Sequence, residues 1–307
     1  MTEPGAATHP TGDPRRRRPP STEEIVITRS IAVVTGASRG AGKGIALALG
    51  KAGATVYVTG RTRAAEESPY GGSVFETAEM IDEAGGHGVP VVVDHADDGS
   101  VEGLFQQIAD EQGRLDILVN NAAKLNGITG PMGFWEKPLE AADLISVGLR
   151  SHYVAAYYAA PLLLANGRGM IVATGHYGAV SYYQGPAYGA QKAGADKMAA
   201  DMAHELRPYG VASVSIWMGG LDTERARAYL DTLPAEQRPS TPRESPEFTG
   251  RVISALYARE DLMDFSGRTM IGAELGARLG VTDIDGTTPL SQRYRMGGPP
   301  EPHASLL

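Results

Sequence analysis

Residues 187–192 read AYGAQK, so Tyr188 and Lys192 stand one helical turn apart on a shared face. A phenol can give or take a proton, and an ammonium beside it favours phenolate and so lowers the phenol's pKa. That pairing makes Tyr188 a candidate general acid/base and Lys192 the group that tunes it. Far upstream, TGASRGAGKG sets Gly36, Gly40 and Gly42 in a GxxxGxG spacing, with Ser38 and Arg39 among them. Such glycines permit a tight turn and bring bare backbone against a pyrophosphate at the N-terminus of the following helix.

The end of the next apolar run carries the choice of dinucleotide. An NAD site usually places an acid there, to hold the ribose 2′-hydroxyl. Here Gly60 is followed by Arg61, and Arg39 lies in the glycine loop. No carboxylate would repel a 2′-phosphate and two guanidiniums could clamp one, so the expected cofactor is NADP(H).

These groups need a scaffold, and the apolar patterning supplies one. β-branched runs over 31–36, 54–60, 89–94, 115–122, 170–175 and 211–217 alternate with helical stretches, including a long helix over 138–165 and another over 187–206. Near-continuous apolar strands alternating with helices predict an α/β fold, a parallel sheet covered on both faces. Right-handed crossovers then put every strand's carboxyl end on one edge, where ligands bind. One domain is expected over 30–286, between a disordered N-terminal tail (1–29) and a C-terminal tail (287–307). The Pro- and charge-rich segment 221–248 is too long for a simple connection and reads as a substrate loop or lid.

Composition narrows the class further. A formal net charge of −8 argues against nucleic acid as the main partner. With no cysteine, disulfides, thiolate metal sites and a cysteine nucleophile are excluded. No apolar run reaches the length of a membrane span, and the Arg15–Arg18 run has no apolar segment behind it, so a cytoplasmic protein is expected.

Taken with their order and spacing, these motifs resemble the short-chain dehydrogenase/reductases. TGASRGAG resembles the family's cofactor loop, Asn120-Asn121-Ala122-Ala123 its NNAG and Tyr188–Lys192 its YxxxK, with the match running from about 31 to 271. Residues 147–153, 187–211 and 266–286 further resemble one subgroup whose substrates are poorly defined. The resemblance implies a Rossmann-type doubly wound sheet in a single domain. It also implies hydride transfer from a nicotinamide, with Tyr188 passing a proton to the carbonyl oxygen and Lys192 also holding ribose. It gives Asp94 an adenine contact, Asn120 and Ala122 a place beside the cofactor, and Gly219 and Thr223 a place at the carboxamide. A homodimer or homotetramer is implied, with the small residues Ala193, Ala199, Ala200 and Ala203 allowing close approach.

Two positions depart from the family. Its asparagine aligns with Gly148, which keeps the backbone carbonyl that matters there. Its serine, thirteen residues before the tyrosine, is Gly175. Losing such a hydrogen-bond donor to the substrate oxygen typically costs about 10²–10³ in rate. Thr174, His176 and Ser181 are the neighbours able to replace it. Aromatic residues nearby (Tyr177, Tyr182, Tyr183, Phe134 and Trp135) predict a pocket for a medium-sized, partly apolar or aromatic carbonyl compound. The function expected is an NADPH-dependent carbonyl reductase or alcohol dehydrogenase. A catalytically weak NADP(H)-binding sensor or scaffold is the alternative. Enoyl reduction ranks below both, since those relatives carry a tyrosine where Gly185 stands.

Overall fold

The computed structural model describes residues 25–125, 132–301 and 303–306. The chain runs β1 (Ile31–Val34), α1 (Gly40–Lys51), β2 (Thr55–Gly60), α2 (Val74–Glu83), β3 (His87–Val92), α3 (Asp98–Gln112) and β4 (Ile117–Asn120). It continues through α4 (Asp143–Ile145), α5 (Ser151–Asn166), β5 (Gly169–Gly175), α6 (Pro186–Leu206), β6 (Val211–Trp217) and α7 (Glu224–Asp231). It closes with α8 (Phe248–Tyr257), β7 (Thr269–Ile271), α9 (Gly272–Leu279) and α10 (Arg293–Met296). All seven strands are parallel, in the order β3-β2-β1-β4-β5-β6-β7. The order reverses between β1 and β4, which places a crevice at their carboxyl ends.

Strand alternation explains why the runs are apolar throughout. Ala32 and Val34 of β1 enter one core with Ile45 and Leu49 of α1 and Phe248 and Val252 of α8. Ile31 and Val33 enter the other, with Leu104 and Ile108 of α3 and Ala155 and Leu163 of α5. Both faces are covered, so neither can be polar.

The long helix expected over 138–165 is interrupted. A 3₁₀ turn at Leu139–Ala142 leads into α4, then a π-helical turn at Ser146–Arg150 leads into α5. Gly148 sits inside the π turn, where Gln191 of α6 packs so closely that a Cβ would lie 2.9 Å from its Cγ. A π turn marks a place where another group intrudes on the helix ladder, and here the intruder is Gln191.

Parts of both segments expected to be tails pack on the sheet domain. Residues 1–24 lie outside the described residues, but Ile27 is already buried and donates its N–H to Ala52 O at 2.8 Å. At the other end Gln292 N donates to the Tyr177 hydroxyl at 2.9 Å, and Arg293 grips Glu274 at 2.7 and 2.8 Å. The chain beyond 287 is therefore docked at least through α10. Segment 221–248 carries α7 and returns to its own start through a bridge between Leu221 and Glu244. The stripe of small residues on α6 also differs from expectation. Ala199, Ala200 and Ala203 are buried within the chain, where α6 lies on the sheet, leaving Ala193 exposed. No helix among the described residues is long and apolar enough to cross a membrane.

Candidate active site

A cleft of about 400 Å³ opens at the carboxyl edge of the sheet, lined from Gly36 and Gly60 at one end to Tyr188 and Met218 at the other. Its glycine end is built for bare backbone. A Cβ on Gly42 would sit 2.6 Å from Asn121 Nδ2 and 2.9 Å from Ala37 Cα, and closer still to Gly36 O. Gly36, at φ 66°, would bring one within 2.9 Å of Ala122 Cα. The first N–H of α1 already holds an anion, because Glu224 Oε2 accepts from Gly40 N at 3.0 Å while Oε1 pairs with Lys43. A helix N-terminus that seats a carboxylate this way also suits a phosphate. The residues present thus fit a dinucleotide.

The two arginines differ in how free they are. Arg39 Nε donates to Gly71 O at 2.7 Å and Nη2 to Thr62 Oγ1 at 2.7 Å and Gly72 O at 3.1 Å, so among the described residues only Nη1 is left without a partner. Arg61 is exposed and stands 3.9 Å from Asp94 Oδ2, and both line the cleft. Burial, then the nearby charge of Arg225, holds Arg39 below the ordinary arginine pKa. Ser38, Gly40, Ala122, Gly219 and Thr223 line the cleft as well. Thr223 caps α7, its hydroxyl accepting from Ala226 N at 3.2 Å.

Asn120 does not reach the cleft. Its Nδ2 donates to His152 O at 3.1 Å in the buried seam between β4 and α5. The next residue takes the edge instead: Asn121 Nδ2 donates to Thr35 O at 2.9 Å and to Gly36 O at 3.1 Å, pinning the glycine loop. Alternation along the strand sends the two amides opposite ways. The amide at the glycine loop is thus that of Asn121, while that of Asn120 lies in the seam.

At the other end, Tyr188 and Lys192 of α6 are both buried and both line the cleft. Lys192 Nζ donates to Thr174 O at 2.8 Å and stands 5.7 Å from the centre of the Tyr188 ring. The lowered phenol pKa expected from the spacing is absent here. Burial, with Tyr183 adding to it, pushes Tyr188 up. Burial likewise pulls Lys192 down to about 8, with Asp196 opposing. Gly148 O, the carbonyl kept where the family has its asparagine, accepts from Gln191 Nε2 at 2.8 Å.

The neighbours of Gly175 sort themselves by their bonds. Thr174 donates its hydroxyl to Asn120 O at 3.3 Å inside the sheet, and Ser181 donates to Tyr177 O at 3.0 Å, so neither hydroxyl is free for a ligand. Thr174 serves through its carbonyl. His176 remains. Its Nδ1 accepts from Gly178 N at 2.9 Å, so in the neutral ring the proton resides on Nε2, which has no protein partner among the described residues. Burial and the Lys192 charge pull this imidazole down to about 3, so at neutral pH it is a hydrogen-bond donor and not an acid. Its ring lies 4.6 Å from that of Tyr183 and 5.6 Å from that of Tyr188.

The cause of the missing serine lies on β6. Gly175 pairs with Trp217, and a Cβ at 175 would sit 2.7 Å from Ser215 Oγ and 2.9 Å from Trp217 Nε1, closer still to Trp217 Cδ1. The indole fills the space of a side chain. Asp196, one turn beyond Lys192, anchors it, accepting from Trp217 Nε1 at 2.9 and 3.1 Å and from Ser215 Oγ at 2.6 Å. Asp196, Trp217 and Glu224 are not among the residues that the sequence patterns single out, and for Asp196 the available signal is an acid one turn after the lysine. Of the five aromatic residues expected at the pocket, one lines the cleft. Tyr183 lines the cleft, but Phe134, Trp135 and Tyr182 are exposed and Tyr177 is buried under Trp217.

A doubly wound parallel sheet with this cleft at its switch point is the architecture of a dinucleotide-binding protein. More narrowly, the chain belongs to the short-chain dehydrogenase/reductase family, whose model, described as short chain dehydrogenase, matches residues 30–233. It is 40% identical over 282 residues to "Dehydrogenase/reductase SDR family member 1" of Mus musculus, covering 87% of each chain. Against the Homo sapiens protein of that name it is 40% identical over 269 residues, 83% of each. These matches bear out the subgroup resemblance. Among solved structures it is similar to a short-chain type dehydrogenase/reductase from Mycobacterium marinum, at 25% identity and a TM-score of 0.68, covering 82% of this chain and 97% of that one.

Proposed function

We propose that this protein is an NADP(H)-dependent oxidoreductase interconverting a carbonyl compound and its alcohol. The observation that carries this reading is one cleft holding a buried Tyr188, a buried Lys192 and the Nε2–H of His176, joined to a glycine loop flanked by Arg39 and Arg61. The dinucleotide, when bound, supplies or accepts the hydride. Gly36, Ser38, Gly40 and Gly42 would hold its phosphates, Arg61 and Nη1 of Arg39 its 2′-phosphate, Asp94 its adenine, and Gly219 and Thr223 its carboxamide. Tyr188 gives its hydroxyl proton to the substrate oxygen in reduction and takes it back in oxidation. His176 Nε2 donates a hydrogen bond to that same oxygen, in place of the absent serine. Lys192, fixed by Thr174 O, sets a positive field that favours the developing phenolate.

Tyr183, Leu125, Val147 and Leu221 give this end of the cleft a partly apolar wall, which suits a medium-sized, partly apolar or aromatic carbonyl compound. The reading includes a homodimer or homotetramer, with exposed Tyr153 and Tyr157 of α5 available to a second copy, and a cytoplasmic location.

Turnover of a panel of ketones and alcohols with NADPH and NADH tests the reading. Cofactor binding without turnover of any member would favour a sensor instead. Two variants sharpen it. Arg61→Asp should lower the NADPH-to-NADH ratio of kcat/KM by at least about tenfold, since a charge-assisted hydrogen bond contributes roughly 1.5–3 kcal/mol. An unchanged ratio would remove Arg61 from the site. His176→Ala should lower kcat by about 10²–10³ with cofactor affinity retained, and His176→Gln, which keeps a donor, should recover part of the loss. With this imidazole held down to about 3, the wild-type rate should show no histidine ionisation between pH 5 and 8 that His176→Gln abolishes.

A further inference from the structure

Asp196 is a buried carboxylate, with only 6% of its surface exposed. It lies on α6 one turn beyond Lys192, facing the carboxyl half of β6. Three hydrogen bonds reach it: Ser215 Oγ on Oδ1 at 2.6 Å, and Trp217 Nε1 on Oδ1 at 3.1 Å and Oδ2 at 2.9 Å. Ser215 and Trp217 stand two apart on the strand, so both side chains leave the same face toward α6. A buried anion is tolerated only when hydrogen bonds and an opposite charge replace its water.

The opposite charge comes from Lys192, itself buried and bonded to Thr174 O. The other groups around that ammonium bring no competing charge. His152 of α5 and His176 after β5 are both pulled down to about 3, and the Tyr188 phenol is pushed up and stays neutral. Asp196 is the one carboxylate that acts on Lys192 among the described residues. The same carboxylate holds the indole that closes off residue 175. One side chain thus holds the indole at the closed serine position and, one helical turn from Lys192, supplies the charge that acts on its ammonium.

We propose that Asp196 is a positioning residue of the reaction centre, supplying the counter-charge that keeps the Lys192 ammonium in place and anchoring the Trp217 indole that forms the wall at Gly175. The proposal rests on the reading that Lys192 works with Tyr188. Burial pushes Asp196 up to about 6, against its hydrogen bonds and Lys192, and Lys192 comes down to about 8. Both are charged between those values, which bounds the pH range in which the pair operates.

Two measurements on the full chain test this, one of them free of any turnover. The sequence has two tryptophans, and Trp135 is exposed and outside the cleft, so Trp135→Phe leaves Trp217 as the sole emitter. Its fluorescence should change in a single step near pH 6, and Asp196→Asn should abolish that step. No step, or a step that survives the substitution, overturns the proposal. The second measurement is the pH profile of kcat/KM for carbonyl reduction. Asp196→Asn should move its alkaline limb down by about one pH unit, since Lys192 loses the charge that opposes its deprotonation. Trp217→Phe removes the anchored N–H but keeps the carboxylate, and should leave the limb in place. If both variants lose rate with unmoved limbs, Asp196 is structural only and the proposal fails. A wild type that turns over nothing defeats the reductase reading instead, and the fluorescence step still decides the role of Asp196.

Discussion

Tyr188→Phe is expected to lower kcat/KM by about 10²–10⁴ in either direction, the range that a positioned general acid/base contributes, with dinucleotide affinity little changed. His176 is neutral across the working range, and the Lys192 ammonium is turned to Thr174 O. The loss should also be a clean one. Phenylalanine keeps the ring that packs on Leu144, His176 and Tyr183, so the fold around the site should survive. Steady-state kinetics beside a cofactor titration separates the two effects. A loss of less than tenfold would take the proton-transfer role away from Tyr188.

Gly175→Ser puts back the hydroxyl usual in the family, yet it is expected to harm the protein. The new Cβ would enter space held by Trp217 Cδ1, Trp217 Nε1 and Ser215 Oγ, and the indole is fully buried with both edges engaged. It cannot swing aside without giving up its bond to Asp196 and its packing on Tyr177. Overpacking of this kind costs about 1–3 kcal/mol. Denaturant unfolding should show that loss, and turnover should fall rather than rise. A Gly175→Ser protein as stable as wild type and more active would mean that the indole yields, and that the serine's absence has no structural cause.

Much of the framework was readable along the chain because it depends on local rules. β-branched runs covered on both faces must be apolar at every position, so β1, β2, β4, β5 and β6 stood out. The glycine loop was legible because a close backbone approach excludes side chains at Gly36 and Gly42. Tyr188 and Lys192 were legible because one helical turn fixes their common face. Each of these signals is complete within a few neighbouring residues.

Other features depend on which distant residues meet. Gly175 read as a lost function because its partner, Trp217, comes a helix and a strand later and meets it only through the β5–β6 register. Asn120 and Asn121 are the same residue type, and only the direction of the strand end separates the amide in the seam from the amide at the cleft. The aromatic wall failed for a similar reason, since five rings near one edge do not say which of them faces inward. The balance of burial against charge at Tyr188 and Lys192 is also invisible in a string of letters, because desolvation belongs to the packed site. Fold class, the glycine loop and the shared face of Tyr188 and Lys192 follow from periodicity and steric rules acting over a turn or a strand. The indole packed at Gly175, the tautomer of His176 and the bonds of Asp196 to β6 follow from contacts between segments that only the packed sheet brings together.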